Sequence, residues 1–185
     1  MTQFDILIRN GKIYDGSGAP PTVGSVALSA DTIAAIGALP DATAPIEIDA
    51  RGLAVAPGFI NMLSHAQHAL LVDGKSQSDI RQGVTLEVMG EGSSMGPLNA
   101  QMKQDMLAQQ GDIKFEIAWT ALDEFLQHLV ARGVSCNVSS FIGATTPRIF
   151  YLGHENRLPN ARELDQMCDL VSVAMQAGAM GSRPR

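Results

Sequence analysis

Apolar residues recur at every second position near the start of the chain, at Phe4, Ile6 and Ile8, which is the period of a half-buried strand. Asn10-Gly11 follows. Both residues tolerate positive φ, so the pair predicts a tight hairpin turn with Ile13 and Tyr14 on its far side. The stretch "DGSGAPP" reads as loop. Short apolar runs at Val26–Leu28, Thr32–Ile36 and Ile46–Ile48, with no helix between them, predict a small antiparallel sheet or sandwich over residues 1–56.

The pattern changes after residue 56. A helix is predicted over Thr120–Arg132, capped by Thr120 with Asp123 three residues later. Leu122, Phe125, Leu126, Leu129 and Val130 fall on one face of it. Gly133 suits its C-terminal cap, and "VSCNVSSFIG" then reads as a buried strand. A second helix runs from an Asn160 cap through Leu164, Met167, Val171 and Met175 to Gly178, before the apolar start "AMG". Gly83 ends the stretch before "GVTLEVMG" in the same way. Helix, glycine and buried strand, repeated, are the grammar of a parallel α/β sheet. Its strands are expected near Leu53–Ser64, Val84–Gly90 and Val134–Phe141.

Composition narrows the function classes. Residues are 45% hydrophobic and 17% charged, enough apolar content for a sizeable core, and the net charge is −6. Without a Lys/Arg cluster, nucleic acid and anionic membranes are not expected partners. No apolar run approaches the roughly 20 residues of a membrane span. The start "MTQFDILIRNGK" lacks the marks of a signal peptide. Cys136 and Cys168 are too few for a disulfide framework and are read as core residues of a reduced, cytoplasmic protein.

In parallel α/β folds chemistry gathers where strands end and loops lead into helices. The first such end, in "GFINMLSHAQH", carries Ser64, His65 and His68. A two-histidine strand pair would need a second His at position 63, where Leu63 stands. The second end, "EVMGEGSS", carries Glu91 between two glycines, and the third, "SSFIGATTPR", carries Thr145, Thr146 and Arg148. His65 and Glu91 are candidate ligands for one divalent ion, because imidazole plus carboxylate suits Zn2+ or a similar metal. His68 reads as a helix or loop residue, and His128 and His154 as surface residues. Glu87 reads as paired with a neighbouring cation such as Arg81. The methionines read as gap-filling core. Arg148 is a candidate for a substrate carboxylate or for a local acid.

Several stretches carry a family resemblance. "FDILIRNGKIYDGSG", "DTIAAIG" and "IDARGLAVAPGFINMLSH" resemble the β domain and first barrel strand of the amidohydrolase superfamily. "GVTLEVMGEGSSMGPL", "WTALDEFLQHLVARGVSCNVSSFIGATTPR" and "LPNARELDQMCDLVSVAMQAGAMG" resemble its N-acyl-D-amino-acid deacylase (D-aminoacylase) branch.

The resemblance implies an α/β fold, a partial (β/α)8 TIM barrel over residues 57–185 preceded by a small β-sandwich over 1–56. It implies hydrolysis of an N-acyl-D-amino acid, a small-molecule substrate, to a carboxylate and a D-amino acid with a divalent metal. His65 falls on the second histidine of the family's strand pair, Leu63 replaces the first, and Asn61 stands where Asp is usual. Where the family often has a Cys ligand, "GEGSS" offers Glu91 or Gly92, of which only Glu91 could bind metal; Ala144 takes the place of a His, while Arg148 is kept. No catalytic residue is assigned. A complete barrel takes about 250 residues. The stretch after residue 56 therefore amounts to about four βα units at roughly 30 residues each. The resemblance breaks after Gly181, and "SRPR" is not expected in a buried strand. An N-terminal part of a longer protein, inactive alone and self-associating through exposed barrel edges, is the expectation. The alternatives are a non-catalytic fragment or pseudoenzyme and a cyclic-amide hydrolase of the dihydropyrimidinase type.

Overall fold

The structure is a computed structural model, and it describes residues 3–183. The readings that rest on Met1, Thr2, Pro184 and Arg185 lie outside the described residues. The chain forms two compact units, one up to Pro57 and one from Gly58 onward.

The first unit is a single mixed sheet. Strand β1 (Ile6–Ile13) pairs antiparallel with β2 (Thr22–Ser29), which pairs antiparallel with β3 (Thr32–Gly37). On the other side of β1, β4 (Ile46–Asp49) and β5 (Ala54–Val55) run parallel to it, so the sheet is not purely antiparallel. Leu7, Ala27 and Ala42 form its buried core. Phe4, Ile6 and Ile8, at the expected period of two, are half-buried.

The hairpin expected at Asn10-Gly11 does not form. Asn10 adopts φ 61°, and the chain takes up this kink as a bulge inside β1, which stays paired with β2 on both sides of it. The reversal falls later, in the "DGSGAPP" loop between β1 and β2. Gly11 is needed for a packing reason: a side chain there would run into Val55 of the neighbouring strand.

The second unit alternates strands and helices. Strand β6 (Phe59–Asn61), helices α1 (Gln67–Val72) and α2 (Gln77–Ile80), and strand β7 (Val84–Met89) come first. Helices α3 (Ala100–Ala108) and α4 (Leu122–Arg132) follow, then β8 (Asn137–Ser140) and β9 (Ile142–Gly143). Helices α5 (Thr145–Leu152) and α6 (Ala161–Gln176) and strand β10 (Ser182–Arg183) complete it. Strands β6, β7 and β8 form a parallel sheet in that order, each joined to the next through helices, as parallel strands require.

The strand expected over Leu53–Ser64 is two strands. Ala54–Val55 joins the first unit's sheet and Phe59–Asn61 the second's, because Pro57 between them has no N–H to donate. The apolar start "AMG" leads into a strand that begins only at Ser182. Ser182 and Arg183 pair parallel with Ile142 and Gly143, so part of "SRPR" joins a ladder after all.

Helix α4 starts at Leu122 with Ala121 as its cap residue, one later than expected. Glu124, not Asp123, closes the cap. Its carboxylate accepts the N–H groups of Thr120 and Ala121, at 2.6 and 2.9 Å, while the Thr120 hydroxyl accepts from Lys103. Leu122, Phe125 and Leu129 are buried as expected, but Val130 is exposed. Gly133 ends the helix at φ 87°, donating to the carbonyls of Leu129 and Val130. Asn160 caps α6 as expected, and Glu163, which was not expected to take part, makes the cap reciprocal. The core under the helices gathers Leu70, Met89, Met95, Leu98, Trp119 and Phe125. Met62, Met175 and Met180 are exposed and do not fill core gaps.

Candidate functional site at the strand ends

The end of β6 is held by one serine. Ser64 N–H donates to Val88 O at 2.9 Å, which keeps the chain beside β7 past the last regular residue of β6. Its hydroxyl donates to Glu87 Oε2 at 2.6 Å and accepts from Ala66 N–H at 3.1 Å. Ser64 is buried, and His65, next in the chain, is exposed. His68 lies in α1 and stacks on Phe115 with ring centroids 4.9 Å apart. Partial burial holds its imidazole below the ordinary histidine range.

Glu87 sits in the central strand with no exposed surface. It does not pair with Arg81, whose Nε donates to Gln77 instead. Its carboxyl group takes Ser64 Oγ on one oxygen, and Cys136 Sγ on the other at 2.9 Å. One buried group therefore ties β7 to the segments that follow β6 and precede β8. Burial first, and then the neighbouring Glu87, push the Cys136 thiol above its usual value. Cys168, expected in the core, is exposed. The native protein is thus expected to react with one equivalent of a thiol reagent, at Cys168, and to yield Cys136 only in denaturant. A second rapid equivalent in native protein would contradict this.

The loop after β7 turns on two left-handed glycines, Gly90 at φ 88° and Gly92 at φ 73°, with half-buried Glu91 between them. Thr145 N–H and Oγ1 both donate to Gly92 O, at 2.9 and 2.5 Å. Ser94 N–H donates to Thr146 Oγ1 at 2.9 Å, and Ser94 Oγ accepts from Gly143 N–H at 3.2 Å. The ends of β7 and β9 are stitched together.

Arg148 is half-buried in α5 and donates through Nη2 to the carbonyls of Glu155 and Arg157, at 2.7 and 2.9 Å. These bonds brace the loop between α5 and α6. His128 is half-buried and stacks on Trp119 at 5.1 Å, so it is not the solvated residue that its helix position suggests. His154, exposed as expected, borders a cavity of about 650 Å3 beside these strand ends, together with His68, Ser93, Ser94 and Thr146.

His65 and Glu91 offer donors of the kind a borderline divalent ion takes. Among the described residues, however, no three of His, Cys, Asp and Glu come together to hold one. A catalytic zinc takes about three protein ligands. The described residues alone do not fit a complete metal centre.

The Ser64–Glu87–Cys136 group and the cavity were missed by the reading of the sequence. A carboxylate within the buried run "VTLEVM" was a signal for the first, but its partners lie 23 and 49 residues away. Nothing in the segment from α3 to Trp119 marked the second.

Parallel strands joined through helices, with hydroxyl-rich loops at their ends, make this an α/β fold. Comparison with known proteins narrows the class. The chain is 35% identical over 182 residues to D-aminoacylase of Alcaligenes xylosoxydans xylosoxydans, covering 96% of this chain and 37% of the relative. It matches a solved D-aminoacylase, in work on that protein's binuclear metal centre, with TM-score 0.82 and 32% identity over 97% of this chain and 38% of that one. It also matches N-acyl-D-glutamate deacylase from Bordetella bronchiseptica, solved with zinc and a phosphonate inhibitor, with TM-score 0.82 and 29% identity over the same shares. No family model matches the chain. In sequence and in fold the chain resembles the N-acyl-D-amino-acid deacylase branch of the amidohydrolases. It spans a little over a third of the length of these relatives.

Proposed function

We propose that the chain contributes to a metal-dependent amidohydrolase that cleaves the amide of an N-acyl-D-amino acid, giving a carboxylate and a free D-amino acid. The observation that carries this reading is the match over 97% of the chain, at TM-score 0.82, to a D-aminoacylase. In this reading residues 1–56 are the β-sandwich part and residues 57–185 the first βα units of a (β/α)8 barrel. The three parallel strands β6, β7 and β8 support the barrel assignment.

His65 and Glu91 are the proposed metal ligands of this segment, with further donors required from elsewhere. A bound divalent ion would supply an activated water and a polarised amide carbonyl. The part of this chain is to set the two donors: Ser64 anchors the backbone before His65, and Gly90 and Gly92 present Glu91. Arg148 remains the proposed contact for a substrate carboxylate. A cytoplasmic setting belongs to the same reading, supported by two free cysteines. So does self-association, supported by exposed Phe59, Ile60, Met62 and Leu63 on or just after edge strand β6. No helix among the described residues is long and apolar enough to cross a membrane.

The test is a chimera in which this chain replaces the matching part of the Alcaligenes enzyme. It is expected to release D-methionine from N-acetyl-D-methionine and to lose both zinc and turnover on Glu91→Ala. A folded chimera that binds no zinc and turns over nothing would favour the non-catalytic alternative. The 185 residues alone are expected to hold less than stoichiometric zinc and to be inactive. Clear turnover from them would overturn the ligand assignment.

A further inference from the structure

The cavity beside the strand ends has a chemistry of its own. Its volume of about 650 Å3 lies within the roughly 300–1,000 Å3 of small-molecule sites. Buried Met95 and Leu98 and half-buried Met102, Met106, Phe115 and Ile149 line it. Methionine is flexible and polarisable, so such walls adapt to aliphatic or thioether groups of varied shape.

The walls are also held in place. Asn99 caps α3 through Met102 N–H and donates to Phe150 O at 2.8 Å, tying α3 to α5. Gln110 exchanges hydrogen bonds with the backbone of Phe115, which fixes the loop after α3. Trp119 Nε1 donates to Met95 O at 2.6 Å beneath the floor. The lining is mixed, for beside these apolar side chains it carries Ser93, Ser94, Thr146, Gln67, Gln109 and Gln110.

Its charges decide what enters. Asp105 and Asp112 are among the described lining residues, together with the imidazoles of His68 and His154, and no Lys or Arg is among them. An acidic group would meet two carboxylates and no permanent cation, with only imidazoles, hydroxyls and amides to offset the loss of its hydration.

We infer that this cavity is a binding site for a neutral, mainly apolar group and that it rejects an acidic one. The source of that group, the acyl chain or the side chain of an N-acyl-D-amino acid, rests on the amidohydrolase reading; the preference for apolar over acidic does not.

Trp119, the single tryptophan of the chain, reports occupancy through its bond to Met95. Its emission is followed in the 185-residue protein on titration with N-octanoyl-D-glutamate, N-acetyl-D-methionine and N-acetyl-D-glutamate. Tighter binding of the first identifies the acyl chain as occupant, and of the second the side chain. Either should exceed N-acetyl-D-glutamate by at least about tenfold. Met102→Phe, which fills the cavity, should weaken the tighter probe by about tenfold. Met106→Lys should narrow the gap to N-acetyl-D-glutamate by adding a cation. Each variant is checked by circular dichroism, and if one fails to fold the other decides. Three equal affinities, or affinities that the folded variant leaves unchanged, overturn the inference. Binding with the expected preference beside an inactive chimera would leave this site standing and remove the deacylase reading; an active chimera with no preference would do the reverse.

Discussion

Gly90→Ala is expected to lower stability by about 2–5 kcal/mol, from two separate costs. Gly90 has φ 88°, and a left-handed conformation costs a residue with a side chain about 1–2 kcal/mol. A methyl group there would also run into the carbonyl of Phe141 and the hydroxyl of Ser140. Phe141 N–H donates to Met89 O at 2.8 Å, so its backbone is held in the junction of β7 and β8 and cannot give way. Forcing a group into such packing costs about 1–3 kcal/mol more. Domains are stable by only about 5–15 kcal/mol, so the loss should show clearly as a lower urea midpoint. A midpoint within error of the parent would mean that the strand-end backbone moves freely. Gly111, an exposed glycine with nothing near its missing side chain and no positive φ, is the control and should tolerate alanine.

Ser64→Ala is expected to cost about 2 kcal/mol. The change removes the 2.6 Å donor to a carboxyl group with no exposed surface, and also the acceptor for Ala66 N–H. Breaking one partner of a buried hydrogen bond costs about 1–3 kcal/mol, because the group left behind has lost water and gained nothing. A double-mutant cycle with Glu87→Leu, which removes the acceptor, isolates the contact, and a coupling above about 0.5 kcal/mol is expected for residues that touch. Additive effects would show that Ser64 acts through the backbone alone.

Local features were legible in the residues. The helix faces of Leu122, Phe125 and Leu129, the cap at Asn160 and the glycine stop at Gly133 rest on neighbours within a few positions. Where two local solutions existed, longer-range pairing chose. Asn10-Gly11 suits a hairpin and a bulge equally well, and β2, paired on both sides of it, made it a bulge. The shift from Asp123 to Glu124 at the α4 cap shows the same limit, since either carboxylate lies close enough in sequence to serve.

The candidate site divides along the same line. Strand ends carrying His65, Glu91 and Arg148 could be found because an apolar run followed by glycine and polar residues marks where a strand leaves the core. What those residues meet could not be found there. Arg148 reaches carbonyls in the following loop, His128 finds the ring of Trp119, and Glu87 finds a serine and a thiol instead of an arginine. The sequence by itself determined the alternation, the Asn160 cap, the glycine stops and the resemblance to deacylases, since these depend on residue type and short spacing. The tertiary structure alone decided the parallel register of β6, β7 and β8, the buried Ser64–Glu87–Cys136 group and the methionine-lined cavity. Each of these requires segments tens of residues apart to meet, and the loss of water that gives a buried contact its energy exists only once they have.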